Sequence, residues 1–144
     1  CEYLNSDGFL KENQETYLKR FRGISESACG ENVGLMDSYR RLVDNGLIED
    51  DRNLIIRWID GKDRSIKVGK ASVLMRTTLL SPVLDSKEIS ENAIDYALYT
   101  QICHVNLGFG PGGGNDAERY EAMLERYPMR SEAEAELRRF GLAI

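Results

Sequence analysis

Residues 54–68 run Leu54-Ile55-Ile56-Arg57-Trp58-Ile59-Asp60-Gly61-Lys62-Asp63-Arg64-Ser65-Ile66-Lys67-Val68. The first six are rich in β-branched and aromatic residues and short enough for a strand. Asp60-Gly61-Lys62-Asp63 is turn chemistry, and Ser65 to Val68 alternates polar and apolar at period two. The stretch therefore predicts a β-hairpin in a chain whose other periodic segments are helical. A helix through Arg52 to Ile59 is the rival, because the apolar residues there do not alternate cleanly. With the hairpin the chain is a mostly helical α+β domain of about five helices; without it the chain is all-helical.

On the N-terminal side, Leu10, Gln14, Tyr17, Leu18 and Phe21 share one helical face, and Gly23-Ile24 stops that helix. Leu35, Met36, Tyr39, Leu42 and Val43 mark a second helix, ended by the same glycine-then-apolar device at Gly46-Leu47. On the C-terminal side Ala71–Leu80 is either a buried strand or a short helix, closed by Pro82. Asp85 and Glu88 stand at capping-box spacing before a long helix with Ile94, Ala97, Leu98, Ile102 and Val105 as its stripe, and with Glu91, Asp95 and Tyr99 away from the stripe's centre. Asn115 with Glu118, then Ser131 with Glu134, open two more helices. Ala117, Tyr120, Leu124 and Tyr127 face inward on the first, Ala133, Leu137 and Phe140 on the second, and Gly141-Leu142 ends the pair. These last two form a C-terminal αα-hairpin. No linker divides the 144 residues, so one domain, residues 1–144, is expected.

The hydrophobic share of 42% and the charged share of 30% are those of a globular protein. No apolar run reaches the roughly 18 residues that span a bilayer, which predicts a soluble chain without a membrane partner. Cys1, Cys29 and Cys103 are odd in number and scattered, as in a reducing cytoplasm. A chain opening on Cys1 is a cut end or the lipidated cysteine of a processed lipoprotein, for which no lipobox is visible. A net charge of −5 argues against generic nucleic-acid binding. The charge is uneven: from Arg57 to Arg76 six cationic residues face two aspartates.

Chemistry has three places to reside. Gly108, Gly110, Gly112, Gly113 and Gly114 surround Pro111 and lead to Asn115, so Gly110, Gly112, Gly113, Gly114 and Asn115 could cradle an anion or other ligand at a helix start. No Gly-Lys-Ser/Thr follows and no strand precedes, and Asp116 and Glu118 repel an anion, so a connector or partner contact is favoured. His104 is the sole histidine. Cys103 beside it points about 100° away on a helix, so a catalytic role for His104 needs a distant cysteine or carboxylate. No catalytic residue, metal site or cofactor is assigned, and the acidic runs are those of solvated surfaces.

The order helix, Gly46-Leu47-Ile48-Glu49, basic hairpin resembles a winged helix in outline. The resemblance implies a helix 35–45 in the groove, a wing at Asp60, and Arg40, Arg41, Arg57, Lys62, Arg64, Lys67 and Lys70 as nucleic-acid-binding residues. Because the chain is acidic and lacks the common catalytic constellations, the leading expectation is a non-catalytic binding domain engaging a protein partner. A winged-helix-like DNA-binding regulator and a small enzyme using His104 near the glycine-rich loop are the alternatives.

Overall fold

The computed structural model describes residue 14 and residues 32–59, 67–107 and 116–143. In chain order these form α1 (Leu35–Asp44), β1 (Ile55–Trp58), β2 (Gly69–Ser72), β3 (Thr77–Leu80), a 3-10 turn (Pro82–Leu84), α2 (Glu91–Leu107), α3 (Asp116–Glu125) and α4 (Arg130–Arg139). The class is α+β, with four α-helices among the described residues. The helix expected over 10–22 lies outside them except for Gln14, which is helical.

The described sheet contains a hairpin, C-terminal to the expected one. The three strands are ordered β1-β3-β2, with β1 parallel to β3 (Ile55 beside Thr77, Trp58 beside Leu80) and β2 antiparallel to it (Gly69 beside Leu80). The described hairpin is therefore β2–β3, turning through Val73–Arg76, and β1 pairs with β3 rather than with Lys67-Val68; residues 60–66, the rest of the expected hairpin, lie outside the described residues. Val68 instead receives the Ser81 N–H on its carbonyl and gives its own N–H to the Ala143 carbonyl. The ambiguous stretch 71–80 is strand, turn and strand. All four residues of β3 are buried, so both faces of this central strand are covered, whereas β1 alternates half-buried and buried.

Helix α2 is the centre. It packs on α1, α3, α4, β2 and β3, so burial runs round the helix rather than along one stripe. Asp95 and Tyr99, expected off the stripe's centre, are buried along with Ile94, Ala97, Leu98 and Ile102. Two aromatic pairs, Tyr96–Tyr127 at 5.0 Å and Tyr99–Tyr127 at 5.5 Å, fill the junction with the last two helices. Ala117, expected inside, is exposed, and Tyr120 is half-buried.

Helix ends follow the sequence in part. Gly46 (φ 73°) and Gly141 (φ 77°) both occupy the left-handed region. Leu47 N–H returns to the Leu42 carbonyl and Leu142 N–H to that of Leu137, closing two glycine stops as expected. The capping boxes differ. Helix α2 begins at Glu91 with the Ser90 hydroxyl accepting the Ala93 N–H, while Asp85 accepts the N–H groups of Asn32 and Val33 ahead of α1. Helix α4 starts behind Met129 in the left-handed region, without a side-chain cap. Ser131 is already inside it, and Glu134 spends its carboxylate on tertiary contacts.

Candidate functional site

The last two turns of α2 carry Gln101 and His104, three residues apart and so on neighbouring positions of one face. Two clefts meet at that face. The first, of about 580 Å³, lies between α2 and β2 and is lined by Lys67, Val68, Gly69, Lys70, Ala71, Val73, Gln101, His104 and Ala143. The second, of about 680 Å³, lies against the last two helices and is lined by His104, Tyr120, Leu124, Arg130, Glu134, Arg138, Gly141, Leu142 and Ala143. His104 and Ala143 border both.

The His104 ring stacks on Tyr120 with centroids 4.2 Å apart and planes inclined by 19°. One ring face is thereby shielded while the residue as a whole stays exposed. Burial lowers the histidine's pKa, and its ring favours the neutral form. Burial also pushes the Tyr120 hydroxyl up to about 12. Gln101 is buried, and among the described residues its amide makes a long 3.4 Å contact to the Thr100 hydroxyl, itself committed to the Ala97 carbonyl at 2.7 Å.

The second cleft has a charged wall. Glu134 accepts from the Tyr96 hydroxyl at 2.6 Å and from Arg130 Nε at 2.8 Å, and Arg130 also meets Glu121 at 2.7 Å. Burial raises the Glu134 pKa, but these hydrogen bonds prevail and hold the carboxyl below its ordinary range. Arg130 is raised by the same two carboxylates. The wall is thus internally neutralised, with Arg138 looser at 4.0 Å from Glu134 and mostly exposed.

Cys103 points away from His104 into the core, where burial pushes its thiol up to about 11. The two are not a nucleophile–base pair, as the helical angle requires. Among the described residues no group of three or more His, Cys, Asp or Glu is placed to hold a metal.

The residues expected on nucleic acid separate. Arg40 is exposed on α1. Arg41 turns inward, its Nε and one terminal nitrogen each 2.8 Å from the Asp95 carboxylate, which also accepts from Ser38. Arg57 is half-buried on β1 and donates to the Ile56 carbonyl. Lys67 and Lys70 come together at the rim of the first cleft. Lys62, Arg64 and the loop residues Gly110, Gly112, Gly113, Gly114 and Asn115 lie outside the described residues.

Sequence reasoning singled out His104 but missed Gln101, Tyr120, Arg130 and Glu134 as its companions. The i, i+3 spacing of Gln101 and His104 was available as a signal; the approach of the C-terminal helices was not. No protein family, curated protein or solved structure matches the chain.

Proposed function

We propose that the protein is a non-catalytic binding domain that takes an extended segment of a protein partner along β2, over the cleft lined by Gln101 and His104. The observation that carries this is the place of β2: it is an edge strand of the described sheet, with β3 on one side and the cleft beside it. An edge strand offers backbone N–H and C=O groups to an incoming strand, and a neighbouring cleft accepts alternate side chains. Gln101 supports the same use, because a side-chain amide both donates and accepts as a peptide group does. Both charged residues of the described cleft lining, Lys67 and Lys70, are cationic, which favours an acidic segment.

The test is titration with short extended peptides of acidic, neutral and basic composition, followed through the backbone amide signals of residues 69–72. Acidic peptides are expected to shift those signals, with affinity falling about tenfold in a Lys67→Glu, Lys70→Glu variant. Edge lysines also guard sheets against aggregation; signals that stay put for every peptide would leave them that role alone and overturn the proposal. Duplex DNA serves as competitor, and displacement with a steep salt dependence would favour a nucleic-acid surface on the 57–76 basic stretch.

A further inference from the structure

We infer that Ala143 is a strap across this groove, an occupant supplied by the chain itself that lifts when the partner segment enters; the inference rests on the peptide reading above and concerns its regulation. Ala143 faces Lys67 in an isolated parallel bridge, and its carbonyl accepts the Val68 N–H at 2.9 Å. That is the hydrogen-bonding position an added strand would occupy at the start of β2. Ala143 also borders both clefts, as does His104. The strap therefore divides what is otherwise one channel passing His104, from the lysine-rimmed side to the side of Tyr120 and Leu124.

The strap's attachment is unequal along its length. Leu142 is buried, and its N–H closes the glycine stop of α4 on the Leu137 carbonyl at 3.0 Å. It stays in place as an anchor. One residue on, Ala143 is exposed, and its carbonyl takes the Val68 N–H. A contact at an exposed position opens far more often than the buried sheet behind it. The other side of Val68 is secured by Ser81, whose N–H reaches the Val68 carbonyl at 2.8 Å. Lifting Ala143 consequently exposes the Val68 N–H without loosening β2, and a partner carbonyl can replace the one withdrawn. The channel then opens along its length, so a bound segment can lie over the lysine side and place a side chain against Tyr120.

Two measurements on the full chain test this. In native-state hydrogen exchange the Val68 amide is expected to exchange at least about 100-fold faster than the Ser81 amide. In a Cys1→Ser, Cys29→Ser background, the pair Lys67→Cys and Ala143→Cys is oxidised to lock the strap and then reduced. The oxidised form is expected to bind an acidic peptide at least about tenfold more weakly than the same protein reduced, and a chain ending at Leu142 to bind it about tenfold more tightly than the full chain. Equal protection of Val68 and Ser81 would overturn the strap. Peptide binding that is equal in locked, reduced and shortened forms would overturn it too, while sustaining the peptide site. Fast Val68 exchange with no peptide taken up by any form would sustain a lifting strap and remove the peptide site.

Discussion

Asp95 illustrates how much one residue can organise. Its carboxylate is nearly buried in α2 and takes two hydrogen bonds from Arg41 and one from Ser38, both on α1. An ion pair closed by a third donor is costly to break from one side, because the remaining groups lose their partner. Arg41 keeps access to water, which limits the loss. Asp95→Ala is expected to destabilise by about 2 kcal/mol in urea unfolding. His104 acts through protons. Burial lowers its folded-state pKa below the unfolded value of about 6.5. The unfolded chain therefore binds the proton more readily. The contribution of His104 to stability is complete above about pH 6.5 and is lost as pH falls through the lowered folded value. Urea midpoints measured between pH 5 and pH 7.5 should fall less steeply toward acid in a His104→Gln variant than in the wild type.

The elements were legible where their signals are local. Gly46-Leu47 and Gly141-Leu142 end their helices as expected, because the glycine stop is made entirely by neighbouring residues. Pairing was not local, and the expectation did not reach the partner that β1 takes among the described residues. Asp60-Gly61 between two β-rich runs suggests a two-strand hairpin, yet β1 finds its partner at Thr77–Leu80, beyond an intervening strand. Capping boxes misled for a related reason. Asp85 and Glu134 carry the right spacing but serve distant groups, Asn32 and Val33 in one case and Tyr96 in the other. The site was legible only as far as His104, since Tyr120 reaches it from another helix. Two glycines separate local from tertiary demands. A Cβ at Gly69 would stand 2.2 Å from the Leu79 carbonyl oxygen, whereas one at Gly46 meets nothing within 4 Å. Gly69→Ala is expected to cost about 1–3 kcal/mol and to disturb β2–β3 amide signals. Gly46→Ala should cost about 1 kcal/mol from its left-handed backbone alone and leave the sheet signals unmoved.

At the scale of the molecule, one helix carries the assembly. Because α2 touches the sheet and every other described helix, damage at its centre reaches all of them. Leu98 is fully buried there. Leu98→Ala is expected to remove about 2–5 kcal/mol, against the 5–15 kcal/mol typical of a whole domain. The loss should appear as one cooperative shift in circular dichroism and tryptophan fluorescence together, since Trp58 is in the same core cluster. No described helix is long and apolar enough to cross a membrane.

The strand order also has a consequence in time. With β3 between β1 and β2, the middle of the sheet is the last of its strands to leave the ribosome. Hairpin β2–β3 can close early through its short turn, but Ile55-Ile56-Arg57-Trp58 must wait for its described partner until Thr77–Leu80 has emerged. During that interval the edge that β3 will take on this apolar, β-prone segment is open to other nascent chains. The placement of one strand thus makes β1 the point at which synthesis outpacing folding would lead to aggregation.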